Sequence, residues 1–151
     1  MKRVLLTGMS ATGKSSVVRE LVARGYKAVD TDDGWCEPLS DGRQQWREDA
    51  IQGLLDTEDV DVLFVAGCEE NQVAFHSRFD QIILLSAPIE TVLERLSTRT
   101  TNPFGKSAEE RQRVLDSATV EPLLRGVADH EVVTTAPLAD VVTTVLRLVG
   151  A

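Results

Sequence analysis

A three-layer α/β/α domain on a five-stranded parallel sheet is the fold class this sequence predicts. Three observations lead to it. Short apolar runs of strand length alternate along the chain with segments of helical spacing, the pattern of a parallel sheet covered on both faces. Several of those runs are apolar throughout, as strands buried on both sides are. Three of them are followed at once by polar segments, Gly8–Ser15, Asp30–Asp33 and Gly67–Glu70. Parallel topology gathers such segments beyond the carboxyl ends of the strands, where α/β sheets place their ligands. The 151 residues suffice for one domain, 1–151, with a buried core.

Arg3 to Thr7 (RVLLT) is the first strand and runs into a glycine loop. Val17, Val18, Leu21 and Val22 give Ser15 to Arg24 a helical spacing, which Gly25 stops. Lys27 to Asp30 (KAVD) is the second strand, followed by a polar connection with Gly and Pro from Gly34 to Gly42. Gln44 to Leu55 is expected to be helical, with Trp46, Ala50, Ile51, Leu54 and Leu55 on its apolar face. Val62 to Ala66 and Gln81 to Ser86 are continuous apolar strands. Pro88 opens a helix to about Thr98, a favoured place for proline. Thr100 to Ser107 is a polar loop, and Ala108 to about Ala128 is mostly helical with a break or restart at Pro122. Glu131 to Thr134 is the last strand, and Pro137 to Val149 closes the chain as an amphipathic helix.

Composition narrows the function classes. The hydrophobic share of 42% and the charged share of 26% are ordinary for a soluble globular protein. A formal net charge of -8 argues against a nucleic-acid partner, which calls for a basic face. No apolar stretch is long enough to cross a bilayer, so no membrane partner is expected. The start, Met1-Lys2-Arg3, leads straight into the first strand without a leader-like apolar centre, so a cytoplasmic protein is expected. Cys36 and Cys68 lack metal-site spacing and read as small buried or half-buried residues, Cys68 near the presumed pocket. His76 and His130 have no partner at recognisable spacing. A monomer and a homodimer fit equally.

The chemistry begins at Gly8-Met9-Ser10-Ala11-Thr12-Gly13-Lys14-Ser15, an intact G-x-x-x-x-G-K-S between a strand and a helix. Its glycines let successive amides point at phosphate oxygens, and the following helix adds its positive end. Lys14 is placed to reach the β- and γ-phosphates, and the Ser15 hydroxyl to ligate magnesium. The nucleotide-contacting set is therefore Gly8, Ser10, Ala11, Thr12, Gly13, Lys14, Ser15 and Ser16, with ATP and Mg as the implied cofactors. After the second strand, Asp30 and Asp32 stand at alternate positions, which share a face in extended backbone. One can serve the metal while the other accepts a proton from a substrate hydroxyl; a turn or helix cap is the bland alternative.

Arg95 and Arg99 lie four apart on the helix that leads into Thr100–Ser107, with Lys106, Arg111 and Arg113 in or just beyond that loop. Cations that close over a moving phosphoryl group and exclude water are what such transfer needs. Arg95 and Arg99 are thus candidates for catalysis beside Lys14 and Asp32; a solvated basic face pairing with nearby glutamates is the alternative. Arg47 can pair an anionic group or simply be solvated. Trp35 and Trp46 flank the substrate segment and either line it or pack. Glu69, Glu70 and Asn71 read as contacts to hydroxyls or an amine, or as a charged helix start.

The P-loop, Asp30-Thr31-Asp32, Trp46-Arg47-Glu48, and Glu121-Pro122-Leu123-Leu124 followed by Ala128-Asp129 together resemble the small-molecule kinases of the P-loop class. The shikimate kinase and nucleoside monophosphate kinase group is the nearest pattern. The resemblance implies a P-loop NTPase fold with strand order 2-3-1-4-5, a lid at about 99–107 and a small substrate-binding insertion at about 33–60. It assigns Asp30 with Ser15 to the metal and Asp32 to the substrate hydroxyl. Asp32, Trp46, Arg47 and Gly67 make up the expected substrate side. Two departures steer away from shikimate. Shikimate kinases carry a triple glycine where this chain has Ala66-Gly67-Cys68, and an arginine where it has Val120. The expected function is an ATP- and Mg-dependent kinase of a small hydroxylated metabolite. A nucleoside or nucleotide kinase, and a nucleotide-binding regulatory switch without an acceptor, are the alternatives.

Overall fold

The computed structural model describes residues 2–8, 12–40, 44–98 and 121–151. Strands β1 (Lys2–Thr7), β2 (Lys27–Asp30), β5 (Val62–Ala66), β6 (Gln81–Ser86) and β7 (His130–Val133) form one sheet in the order β2-β5-β1-β6-β7. All four pairings are parallel. Counting the strands of this sheet alone, that is the expected order 2-3-1-4-5. The helices are α1 (Lys14–Ala23), α2 (Glu48–Leu55), α3 (Ile89–Thr98), α4 (Glu121–Val127) and α5 (Leu138–Val149), with a 3₁₀ helix at Glu70–Arg78. Among the described residues no helix is long and apolar enough to cross a membrane.

The strands alternate their side chains between two cores, as extended backbone requires. Val4, Leu6, Ile83 and Leu85 face α1 and α5, meeting Val17, Leu21, Val142 and Val145. Leu5, Leu63, Val65 and Ile82 face the other way, onto Ile51, Leu55, Trp46 and Phe75. Both faces of the sheet are therefore covered, which explains the continuous apolar centres of β1, β5 and β6. Arg24 ties α1 to α5, donating to Thr143 Oγ1 and the Ala139 carbonyl at 3.1 Å each.

Two expectations need correction. Gln44–Trp46 is not the first turn of a helix: it is strand β4, antiparallel to β3 (Cys36–Pro38), with Trp46 opposite Cys36. Trp46 fits the apolar face of the following helix by spacing, but its backbone is claimed by the Asn71 side chain. That amide accepts from Trp46 N at 3.0 Å and donates to Trp46 O at 2.9 Å, acting as a one-residue strand partner. The helix α2 starts only after Arg47, whose N–H donates to the Trp35 carbonyl at 2.9 Å. Its first turn then carries Glu48 and Asp49, which suit the positive helix end. The second concerns Asp129, counted among the residues that carry the kinase resemblance. Its carboxylate accepts from Ile82 N at 2.7 Å, at the edge of the sheet opposite the phosphate loop. It pins the turn into β7.

Glu131 on β7 accepts from Ser86 Oγ at 2.7 Å and from Arg125 Nε at 2.6 Å. The Arg125 guanidinium, then the Ser86 hydroxyl, hold its carboxyl below the usual glutamate range. A depressed carboxylate stabilises the fold above its unfolded-state pKa, and that contribution fades as pH falls through the native value. Urea midpoints of the wild type and Glu131→Gln should therefore differ at neutral pH and converge in acid. The gap will be small, because the pair is solvent-screened.

Candidate active site

The phosphate loop leaves β1 through Gly8 at φ 152° and enters α1 through Gly13 at φ 97°. Both conformations favour glycine, and a Cβ on Gly8 would also be driven into the Leu85 carbonyl oxygen. Thr12 is fully buried beneath the loop. Lys14 donates to the Gly8 carbonyl at 2.6 Å, so its side chain curls back over the loop. Burial lowers its pKa from the usual lysine value, opposed by the charges of Cys68, Asp32, Asp30 and Glu69. Ser10, Ala11 and Arg99, the loop Thr100–Ser107 and residues 108–120 lie outside the described residues.

Ser15 Oγ donates to Asp30 Oδ2 at 2.6 Å, bringing together the two residues expected to serve a metal. Hydroxyl and carboxylate oxygens are the hard donors magnesium takes. Asp30 and Asp32 do converge, though not by strand alternation. The backbone turns at Thr31–Gly34, and Asp32 N donates to Asp30 Oδ1 at 3.1 Å. That local bond is an aspartate turn, and it sets Asp32 beside Asp30 and Lys14. Asp32 is an exposed residue, yet its carboxylate is crowded. Desolvation and the charge of Asp30 raise its pKa, against Lys14 and the Gln44 amide.

Thr31, between the two, is fully buried and anchors the turn: its Oγ1 donates to the Ala66 carbonyl at 2.8 Å. The indole N–H of Trp46 donates to that same Oγ1 at 3.0 Å. Trp46 has no exposed surface and supports the turn from below. Gly67 lies directly over this pair, and a Cβ there would overlap Thr31 Oγ1. It keeps the segment after β5 close to the turn after β2. Arg47 is exposed at the N-cap of α2.

Three further residues close around Asp32. Gln44 Nε2 donates to Glu69 Oε1 at 2.8 Å and to Asp32 Oδ1 at 3.3 Å. Cys36 Sγ donates to the Thr31 carbonyl at 3.2 Å and stands 4.0 Å from Glu69 Oε1. Burial, then the charges of Glu69, Asp32 and Asp30, push the Cys36 thiol up to about 12. Glu69 caps the 3₁₀ helix in a reciprocal box with Gln72. Gln72 itself is buried and donates to Thr7 Oγ1 at 3.1 Å, linking this cap to the root of the phosphate loop. Gln44 and Cys36 escaped the sequence reading because the hairpin that carries them was not foreseen. The Glu69-x-x-Gln72 spacing was the available signal for the cap.

Arg95 stands on the other face of α1 from Asp30. Its guanidinium donates to Thr134 Oγ1 at 3.1 Å and to Thr134 O at 2.8 Å, fastening α3 to the end of β7. It lines a cavity of about 310 Å³ with Gly13, Ser16, Val17, Thr134 and Leu138. On another face of α1, Ser15, Val18, Asp30 and Trp35 line a second cavity of about 380 Å³.

The family described as AAA domain matches residues 4–116. No curated protein matches the chain by sequence. Among solved structures, shikimate kinase from Acinetobacter baumannii in complex with shikimate is similar at TM-score 0.70 and 20% identity, over 99% of this chain and 93% of that one. Shikimate kinase from Bacteroides thetaiotaomicron is similar at TM-score 0.70 and 15% identity, over 99% of each chain. A gluconokinase from Sinorhizobium meliloti 1021 is similar at TM-score 0.63 and 18% identity, over 97% of this chain and 90% of that one. At these identities the likeness is one of fold.

Proposed function

Because the chain belongs to the AAA domain family of P-loop proteins, we propose that it is an ATP- and Mg-dependent kinase of a small hydroxylated metabolite. The observation that carries this reading is the position of Asp32: a carboxylate held by the turn after β2, beside Lys14 and the Ser15–Asp30 pair. The loop amides and Lys14 would hold the β- and γ-phosphates, and Ser15 with Asp30 the magnesium. When bound, the metal–nucleotide complex supplies the phosphoryl group and the charge that draws its electrons. The rest of the work falls to the chain. Lys14, buried under the loop, neutralises phosphate oxygens. Asp32 orients the acceptor hydroxyl and takes its proton, a role its raised pKa suits by making it a better base. The cavity beside Gly13, Arg95 and Thr134 offers the volume for the nucleoside end. Gluconate and shikimate, the acceptors implied by the names of similar structures, indicate the size of acceptor such a frame accommodates.

The test is ADP release across a panel of small alcohols and nucleosides. One acceptor class should raise turnover well above the rate without acceptor. Asp32→Asn should then lower the stimulated kcat about 10²–10⁴-fold, the range for loss of a general base, with ATP affinity retained. If no alcohol or nucleoside stimulates turnover, and nucleotide state instead alters binding to a protein, transfer is the wrong reaction.

A further inference from the structure

The phosphate loop and the segment bearing Glu69 leave neighbouring strands at the same level. Leu6 of β1 stands opposite Ala66 of β5, and Gly67 N donates to Leu6 O at 3.0 Å. Past that rung the two chains diverge, one through Thr7 and Gly8 into the loop, the other into the 3₁₀ helix. Gln72 spans the gap. Its Nε2 donates to Thr7 Oγ1 at 3.1 Å, and its Oε1 accepts from Glu69 N at 3.2 Å. Both side chains are enclosed, Gln72 at 2% exposure and Thr7 at 0%. Chemistry fixes the direction of these bonds. A backbone N–H only donates, so the amide oxygen must face Glu69 and the amide nitrogen must face Thr7. A capping residue needs only its own helix end. Gln72 also reaches another strand, and grips the residue before Gly8, whose carbonyl receives Lys14.

We infer that Gln72 is a positioning residue for phosphoryl transfer, fixing the phosphate loop against the Glu69 cap and so setting the gap between donor phosphate and acceptor. The inference rests on the kinase reading and deepens it. Under that reading the loop and Lys14 carry the donor, while the cap borders the proposed base. Carboxylate oxygens of Glu69 and Asp32 lie within 4.8 Å of each other, and the Gln44 amide bonds both. Transfer is sensitive to such spacing, a displacement of about 1 Å costing on the order of 10²-fold. With the bond to Thr7 gone, cap and loop are free to separate. Water then enters between phosphate and acceptor and competes for the phosphoryl group.

Three variants test this. Thr7→Val removes the link and leaves the cap, and Thr7→Ser keeps the hydroxyl. Thr7→Val combined with Gln72→Met replaces both partners by apolar groups of similar shape, which keeps the protein folded. The acceptor used is whichever alcohol or nucleoside of the panel raises ADP release most. With it, Thr7→Val and the double variant should lose about 10–100-fold in kcat, while binding magnesium and a non-hydrolysable ATP analogue as the wild type does. Phosphorylated acceptor formed per ADP released should fall as well, a ratio that loss of folded enzyme does not move. Thr7→Ser should behave as the wild type. With no acceptor present, magnesium and the analogue should slow hydrogen exchange at the amides of Glu69–Gln72 in the wild type but not in Thr7→Val. The positioning role is overturned, and the kinase reading left standing, by any of four results. They are an unchanged kcat or product ratio in Thr7→Val, loss of analogue binding in that variant, a Thr7→Ser no better than Thr7→Val, and exchange that responds alike in Thr7→Val and the wild type. If no alcohol or nucleoside raises ADP release, the kinase reading falls and the positioning role with it.

Discussion

Lys14→Ala is expected to abolish productive nucleotide use, lowering kcat/KM by at least about 10²–10³-fold, the cost of losing one preorganised charge-stabilising donor. The cause is local. Lys14 is the cation that folds over the loop onto Gly8, and the charges of Asp30, Asp32 and Glu69 all bear on it. Without it, phosphate would meet those carboxylates with less to oppose them, so ATP binding should weaken along with turnover. The fold should survive, because the ammonium is already penalised by burial and contributes little to folding. Titration calorimetry with ATP and magnesium, a coupled ADP assay and a urea melt together check this. Wild-type affinity and turnover in the variant would mean that the loop is not a phosphate seat.

Trp46→Ala is expected to have the largest effect on stability, about 3–5 kcal/mol, as for other fully buried aromatic truncations. The side chain is completely enclosed, packs against Phe75 at 5.9 Å between ring centroids, and donates to Thr31. Trp46→Phe separates the contributions: it keeps most of the packing and loses the indole hydrogen bond, at about 1 kcal/mol. Chemical denaturation measures both. A tryptophan that lined the substrate pocket would instead give an alanine variant of nearly unchanged stability with a raised acceptor KM.

The sheet could be read from the sequence because its central strands β1, β5 and β6 are buried on both sides and appear as apolar runs. Lys27–Asp30, Val62–Ala66 and Gln81–Ser86 fall where expected to the residue. The Gly8–Ser15 segment was equally legible, since its backbone chemistry demands glycine at two fixed positions. The hairpin and the turn after β2 were less so. Gln44–Trp46 is too short for periodicity to separate strand from helix, and the arbiter is the side chain of Asn71, far away in sequence. Asp30 and Asp32 were paired for an incomplete reason: the bond from Asp32 N to Asp30 Oδ1 is a turn, and only the fold shows that Thr31 turns inward to Ala66. Arg95 was legible as a cation near the site, but its grip on Thr134 depends on where β7 ends.

The bond pair between Asn71 and Trp46 has a consequence for how this scaffold can be re-specialised. β4 is fastened through main-chain atoms and one inward indole, and the outward positions of the hairpin add side-chain bonds of their own, Gln44 to Glu69 and Asp32 and Gln45 to Glu37. Glu37, bonded only across the hairpin to Gln45, can be diversified without touching the bonds to Asn71 and Thr31, whereas Gln44 also ties the hairpin to Glu69 and Asp32. Gly67, Thr31 and Trp46 form the opposite kind of triplet, interlocked so closely that none can vary alone. Under the kinase reading, the hairpin rim is therefore the place to vary, with that triplet left untouched.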